Sequence, residues 1–134
     1  MTMKGSCLCG AIRYEAAALS SPISHCHCRT CQKAHSSAYA TTARVLREHF
    51  RWTSGASLLR SFESSPGKLR HFCTVCGTQL IAERPEQAHI ILRVPTLDED
   101  PGVAPTMHIW TSHDQPWTTE NGEIPKYPEW PTAS

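Results

Sequence analysis

The chain of 134 residues is long enough to bury a hydrophobic core, and we expect a single domain over residues 1–134. Its formal net charge of +1 gives no general reason to expect binding to nucleic acid or to a membrane surface. No apolar segment approaches the ~20 residues that cross a bilayer, and the chain does not begin with an apolar signal sequence. We therefore expect a soluble cytoplasmic protein with no membrane partner, for which nucleic-acid binding is disfavoured.

Short stretches of strand-forming residues separated by turns follow one another along the chain, which predicts an all-β fold. The first strand follows a cysteine-rich turn within residues 5–15 and places Ile12 and Tyr14 on one face. A loop over 20–24 precedes a short helical turn at 32–34. The other predicted strands cover 39–45, 50–53, 58–62, 68–72, 79–83, 89–94 and 107–110. The tail, about residues 111–134, is rich in proline and tryptophan and has no helical periodicity.

Four of the seven cysteines form two close pairs, Cys7 with Cys9 and Cys73 with Cys76, and a glycine follows each pair. A glycine at positive φ lets backbone amides point at the thiolates, and four thiolates complete the shell of a structural zinc. Zinc binding contributes on the order of 10 kcal/mol in zinc-finger peptides, which is comparable with the ~5 to 15 kcal/mol stability of a whole domain. We expect the protein to unfold without one of these ligands. A redox pair at Cys73 and Cys76 and an iron–sulfur cluster are the alternatives.

The remaining cysteines lie within six residues, and they are Cys26, Cys28 and Cys31. This crowding and the odd total of seven argue for a metal site rather than a disulfide framework. Three zinc ligands leave an open position, where the cation lowers the pKa of a bound water or thiol. Alternatively, His25, His27 or His35 completes a structural shell, or one cysteine is a free nucleophile with a histidine as its base. In an extended segment, His25 and His27 point to the same side, away from Cys26.

Basic residues concentrate just after this cysteine cluster. Between residues 29 and 51 the chain carries Arg29, Lys33, Arg44, Arg47 and Arg51 against one acidic residue. One interpretation is a solvated surface. The other is a positive field over the three-cysteine site that attracts an anionic small molecule.

Taken together, these motifs resemble the family of glutathione-dependent formaldehyde-activating enzymes, which includes centromere protein V. The resemblance rests on GSCLCGAIRYE, SHCHCRTCQKAHSSAYA, FRWTSGASLLRSFESSPGKLRHFCTVCGTQL and HIWTSHDQPWTTENGEIPKYPEWP. It implies several short twisted antiparallel sheets around zinc knuckles, of the complex zinc-ribbon or β-tent type, with two zincs per chain. By this resemblance Cys7, Cys9, Cys73 and Cys76 hold a structural zinc, and Cys26, Cys28 and Cys31 hold the catalytic one. Many relatives have glycine in place of Ser36, so we expect the backbone to differ there.

The resemblance also implies a zinc-dependent carbon–sulfur lyase that joins a small thiol, glutathione, to formaldehyde and gives S-(hydroxymethyl)glutathione. The second zinc would hold the thiol as thiolate or polarise the aldehyde oxygen. The candidate proton donors are His25, His27 and His108. The candidates for binding the glutathione carboxylates are Arg29, Lys33 and Arg44.

Two other functions are compatible with the same residues. One is a non-catalytic, zinc-stapled module that carries a small thiol or docks on a protein partner. The other is lysis or exchange at the carbon–sulfur bond of a different thiol adduct. The aromatic side chains of the C-terminal region separate these possibilities, because exposed side chains would favour a partner surface. We expect Trp110, Trp117, Tyr127 and Trp130 to be buried as anchors.

Overall fold

The computed structural model describes residues 2–118 and 124–131, so parts of the predicted tail, 119–123 and 132–134, lie outside the described residues. The described residues are mostly β-structure, which confirms the predicted fold class. No helix in this part of the chain is long and apolar enough to cross a membrane. The strands are β1 (Met3–Ser6), β2 (Arg13–Ala16), β3 (Ser24–Cys26), β4 (Ala40–Leu46), β5 (Phe50–Ser54), β6 (Leu59–Ser65), β7 (Lys68–Cys73), β8 (Gln79–Glu83), β9 (His89–Arg93) and β10 (Met107–Ile109). The helix α1 covers Arg29–His35, and short 3-10 turns cover Arg47–His49, Ala56–Leu58, Val94–Thr96, Thr111–His113 and Pro116–Thr118.

The strands form two sheets, one with the order β1-β2-β5 and one with the order β10-β3-β4-β9-β8-β7-β6. Neighbouring strands are antiparallel, as expected, except that β10 pairs in parallel with β3. A parallel partner requires a long connection, and β10 is reached only after the loop that follows β9. The parallel register sets His108 beside His25 and Ile109 beside Cys26.

Two strands, β1 and β3, were not among the predicted strands, and they overlap the predicted cysteine-rich turn and the predicted loop over 20–24 only at one end. Neither has an alternating apolar pattern, and each takes its conformation from partners distant in sequence. Gly5 of β1 lies against the ring of Tyr14 in β2, where a Cβ atom would collide with the ring. Because glycine has no side chain, β1 can pack directly over the buried ring of Tyr14.

A shared hydrophobic core joins the two sheets. Ile12 and Tyr14 are both fully buried, which confirms the predicted inward face of the first strand. They belong to the same core cluster as Leu80 and Leu92 of the larger sheet. Two cysteines of the four-cysteine set also belong to this cluster, namely Cys7 and Cys73. Two members of the four-cysteine set therefore lie where the two sheets pack against each other.

The expectation of buried aromatic anchors in the C-terminal region is wrong. Four aromatic side chains there are exposed, and they are Trp110, Trp117, Tyr127 and Trp130. Beyond β10 the described chain forms two short 3-10 turns and pairs with no further strand, so it offers these rings little apolar surface.

Candidate metal centres

The first cluster consists of Cys7, Cys9, Cys73 and Cys76, whose sulfur atoms lie within 4.8 Å of one another. The Sγ atoms of Cys7 and Cys9 are 3.6 Å apart, and those of Cys9 and Cys73 are 3.9 Å apart. Four sulfurs placed tetrahedrally at about 2.3 Å from zinc have edges of about 3.8 Å. A disulfide would require about 2.05 Å, and all seven cysteines are free thiols. The spacing fits a tetrahedral metal shell.

The backbone of both knuckles takes the predicted form. Gly10 has a φ of 78° and Gly77 a φ of 80°, which are left-handed conformations that favour glycine. The turns direct backbone N–H groups at sulfur, with Ile12 donating to Cys7 at 3.4 Å and Val75 to Cys73 at 3.3 Å. Such donors stabilise thiolates, the form in which cysteine binds metal.

A side chain completes this stabilisation of the first cluster. The Thr78 hydroxyl lies 3.3 Å from the sulfur of Cys76, and this hydrogen bond is the main reason that the pKa of Cys76 falls to about 5. The same hydroxyl accepts the backbone N–H of Leu8 at 3.1 Å. Thr78 therefore links the two halves of the cluster.

The second cluster is made by one strand, one turn and one helix. Its sulfurs, those of Cys26, Cys28 and Cys31, also lie within 4.8 Å of one another. Cys26 ends β3, Cys28 is the N-cap of α1, and the Cys28 sulfur accepts the backbone N–H of Cys31 at 3.3 Å. Cys26 and Cys31 are buried, whereas Cys28 is half-buried. Within residues 2–118 and 124–131, no histidine or carboxylate joins the three sulfurs. The alternative in which His25, His27 or His35 closes the shell therefore finds no support.

Two buried arginines lie beside the second cluster. Arg70 of β7 places Nη1 and Nη2 at 3.9 and 3.8 Å from the sulfur of Cys31, and Nε donates to Ser64 at 2.9 Å. Arg93 of β9 is equally buried. A hydrogen bond with Cys26 lowers the pKa of Cys31 to about 4 against the effect of burial, with Cys28 and both arginines acting in the same direction. The same hydrogen bond, together with burial, raises the pKa of Cys26. Between these two hydrogen-bonded thiols, Cys31 is thus the one that ionises more readily.

These arginines were not among the residues that the sequence singled out. A signal for Arg93 is present in the sequence, because it interrupts the apolar stretch His89–Val94. A charged residue in a buried strand needs an electrostatic partner. Arg70 carries no comparable signal, since it stands beside another polar residue, His71, in a strand of mixed composition.

The three basic candidates lie at the surface. Arg29 is exposed, and its Nη1 donates to Gln32 of the same helix at 2.8 Å. Lys33 is exposed on α1, and Arg44 is exposed on β4 opposite Ile91. Arg29 and Lys33 thus lie one turn apart on the same helix, whereas Arg44 lies on a strand.

The three histidine candidates, in contrast, come together. The ring of His108 lies 5.0 Å from that of His25 and 4.9 Å from that of His27, and Tyr39 packs at 4.3 Å from His25. Strand alternation places this group on the face of β3 opposite to Cys26. Burial, together with His108 and His27, lowers the pKa of His25.

Two of these histidines belong to a hydrogen-bonded chain. Asp114 Oδ1 lies 2.6 Å from Nδ1 of His27, and Nε2 of His27 lies 2.8 Å from Nδ1 of His108. Gln32 of α1 donates to the carbonyl oxygen of His27 at 2.7 Å, which ties this chain to the helix that carries Cys31. Asp114 was missed at the level of sequence, because it lies in a polar segment far from the histidines.

A cleft of about 840 Å³ lies beside the first cluster and extends to residues that neighbour the second. Cys7 of the first cluster contributes to its wall, and so do His35 and Arg93, which neighbour the second cluster. Tyr39 and Thr41 line it as well, and both contact His25. Its volume lies within the range of pockets that bind small molecules.

Ser36 ends the helix of the second cluster. Its backbone is left-handed, with φ 50° and ψ 48°, and its N–H donates to the carbonyl oxygen of Gln32. Glycine favours this conformation at helix ends. Ser36 thus adopts a left-handed conformation that is uncommon outside glycine, and the expected difference from relatives with glycine at this position stays a prediction.

Fold and site together define a mostly β domain with one four-thiol and one three-thiol cluster, both of which suit metal binding. The sequence model of the glutathione-dependent formaldehyde-activating enzymes matches residues 2–113. The chain belongs to this family. A crystal structure of a Rhodobacter sphaeroides protein from structural genomics superposes with a TM-score of 0.63 at 23% identity, covering 79% of this chain and 99% of that chain, which supports the fold. No curated protein matches the chain.

Proposed function

We propose that the protein is a zinc-dependent carbon–sulfur lyase that combines glutathione with formaldehyde to give S-(hydroxymethyl)glutathione. The observation that carries the proposal is the three-sulfur cluster, to which the described chain supplies no fourth ligand. Membership of the family supports the choice of substrates. We assign the protein to the cytoplasm, because seven free thiols suit a reducing compartment.

The two clusters would each hold one zinc. Thiol donors at this spacing suit a soft divalent ion, and a three-ligand site leaves room for a further ligand. A zinc held by Cys26, Cys28 and Cys31 supplies a Lewis acid that favours the thiolate form of a bound thiol. Cys26 and, to a smaller extent, the nearby Arg70 favour the thiolate form of Cys31 by lowering its pKa, and Cys28 forms the most accessible edge of the cluster.

The chain from Asp114 to His108 is our candidate for moving the proton. Adduct formation transfers the thiol proton to the oxygen that was the carbonyl oxygen of formaldehyde. With Asp114 accepting from Nδ1 of His27, Nε2 of His27 accepts from Nδ1 of His108. Because the histidines lie on the face of β3 opposite to Cys26, the thiol proton would pass through water to Nε2 of His108 and return by the same route to the adduct oxygen. His25 supports this group by packing against His108.

Because glutathione and formaldehyde also combine unaided, the test must measure acceleration. Exchange NMR at equilibrium gives the rate of interconversion between free glutathione and its adduct. The native protein with both metals bound should raise this rate in proportion to its concentration. Cys28→Ser should remove the effect, whereas Thr30→Ala, an exposed change on the same helix, should retain it. An exchange rate that the native protein leaves unchanged would refute the enzyme proposal.

The exposed aromatic residues favour a second candidate, a binding module without turnover. Trp110, Trp117 and Trp130 expose 58, 66 and 90% of their surface. Large exposed apolar side chains are characteristic of interaction surfaces. A native protein that binds glutathione without accelerating the exchange would identify the module.

A further inference from the structure

The cleft that Cys7, His35 and Arg93 line has polar atoms in its wall that lack hydrogen-bond partners. Three of its residues carry a buried nitrogen or oxygen that has no hydrogen-bond partner among the described residues, and these are His35, Gln79 and Arg93. A buried polar atom without a hydrogen-bond partner destabilises the folded protein, and more so when the group is charged. Three such groups in one cleft indicate a polar ligand that supplies the missing partners.

Arg93 provides the most specific of these groups. Its side chain is 3% exposed, and the unpartnered atoms are Nε and Nη2. These two nitrogens form one edge of the guanidinium and present two parallel N–H donors. The two oxygens of a carboxylate match this edge. Arg93 is therefore prepared for a planar anion with two acceptor oxygens.

A comparison with Arg70 shows that the free edge is not explained by the cysteines alone. Arg70 uses Nε on Ser64 and both Nη atoms on the sulfur of Cys31. Arg93 lies close enough to influence the pKa of Cys31, yet it makes no hydrogen bond to any sulfur in the described chain. Nε and Nη2 of Arg93 are thus two donors that make no hydrogen bond to the sulfurs of the cluster.

The charge around the second cluster also favours an anion. Three thiolates and one divalent ion would together carry one negative charge, whereas Arg70 and Arg93 carry two positive charges. Burial, followed by the charges of Arg70 and Arg93, lowers the pKa of Lys68. The local potential is thus positive before Lys68 is counted, and one carboxylate would balance it.

The other two residues suit the rest of such a ligand. Gln79 Oε1 needs an N–H donor, as an amide or ammonium group offers. Burial and the charge of Arg93 lower the pKa of His35 to about 4, so its ring is neutral at neutral pH. Asp98 also lines the cleft, where it accepts from Ser6 at 2.7 Å, and its carboxylate makes no hydrogen bond to Arg93.

We propose that the cleft binds a carboxylate of a peptide-like thiol, with Nε and Nη2 of Arg93 donating to its two oxygens and Gln79 Oε1 accepting an N–H of the same ligand. The identity of the thiol as glutathione rests on the proposed function. The proposal places carboxylate recognition at a buried residue, in addition to the exposed candidates Arg29, Lys33 and Arg44.

The test measures ligand affinity rather than turnover, by calorimetric titration of the metal-loaded protein. The first probe is S-methylglutathione, which has both carboxylates but no free thiol. Native protein should bind it, and its diethyl ester should bind about tenfold to a hundredfold more weakly. Equal affinity for the acid and the ester would overturn the proposal without any substitution in the protein.

The variant Arg93→Lys keeps the buried positive charge but loses the two-donor edge. It should weaken binding of S-methylglutathione by about tenfold or more and leave binding of the ester unchanged, with two metals still bound per chain. Arg60→Lys, at an exposed position, is the matched control and should bind as the native protein does. If Arg93→Lys binds the acid as tightly as the native protein does, the subsite is wrongly assigned.

Failure of this proposal can be separated from failure of the proposed function. Acceleration of the adduct exchange to the same extent with glutathione and with its diethyl ester would retain the enzyme and remove the carboxylate subsite. Binding that depends on the carboxylate without any acceleration would retain the subsite and remove the enzyme.

Discussion

The two cysteine clusters use the same ligand atoms in different places in the fold. The first joins cysteines that are more than 60 residues apart, and two of them, Cys7 and Cys73, belong to the core between the sheets. The second lies within six residues on a strand, a turn and a helix. A metal in the first cluster therefore closes a long loop and fixes the contact between the sheets, whereas a metal in the second fixes only a local segment. This difference in position is the basis on which we propose a structural role for the first cluster and a functional role for the second.

The two clusters also differ in the charge of the groups that contact their sulfur atoms. In the first cluster the groups that contact sulfur are uncharged, namely backbone N–H groups and the hydroxyl of Thr78. One of its cysteines, Cys9, is exposed to water. Charged donors serve the second, where Cys31 is 2% exposed and lies against Arg70. A buried thiolate needs compensating charge because water does not screen it. The buried arginines thus indicate a centre that holds negative charge away from solvent.

Substitution in the first cluster should have the largest effect. Cys73→Ser removes a fully buried ligand and should lower the free energy of unfolding by about 5 kcal/mol or more, enough to unfold the domain. Circular dichroism during heating, together with metal analysis, should show loss of the cooperative transition. Thr74→Ser, an adjacent exposed change, is the control. A folded Cys73→Ser protein would contradict the structural role of this cluster.

Removal of the charged donor should act on the second cluster alone. Arg70→Met keeps the bulk of the side chain but leaves the Cys31 thiolate without its hydrogen bonds. We expect the affinity for the second metal to fall by about tenfold to a hundredfold. Competition with a chelator should show that one metal is bound more weakly than in the native protein and that the other is bound with unchanged affinity. If the affinity for both metals falls equally, Arg70 stabilises the fold as a whole rather than the second cluster in particular.

A smaller effect is expected at the proton chain. Asp114→Asn retains the shape of the side chain but removes the charge that orients His27. The rate of adduct exchange should fall by about tenfold, with an altered pH profile, while glutathione binding and metal content stay unchanged. His27→Gln should show the same changes if the two residues act as a unit. An unchanged pH profile in both variants would exclude the proposed proton path.

The smallest change concerns the end of the helix that carries Cys28 and Cys31. The knuckles of the first cluster use Gly10 and Gly77 at positive φ, whereas this helix ends with Ser36 in the same region. Ser36→Gly should raise the free energy of unfolding by about 1 kcal/mol, or the melting temperature by a few degrees. A lower melting temperature would show that the serine side chain makes a stabilising contact.

Much of this comparison is predictable from local sequence. The division of the cysteines follows from their spacing, and the left-handed glycines follow from their place after each pair. The strands with clear alternation or apolar runs, such as β2 and β9, are found where the pattern puts them. In each case the information lies within a few residues.

The features that were missed depend on distant parts of the chain. The strands β1 and β3 exist because of their partners, and the parallel register of β10 brings His108 to His25. Arg70, Arg93 and Asp114 acquire their roles from burial and from contacts that span 39 or more residues, such as that of Arg70 with Cys31. Burial of a charge is a property of the assembled sheets, which local patterns do not contain.

The most direct test of the distinction between the clusters is the metal content of Cys28→Ser. Serine is a good helix N-cap, so this change removes a thiolate from the second cluster while preserving the start of α1. Elemental analysis should give two zincs per native chain and one per Cys28→Ser chain. The variant should remain folded and should no longer bind glutathione through its sulfur. Loss of the fold, or retention of both zincs with unchanged glutathione binding, would contradict the assignment of the second cluster as the open functional centre.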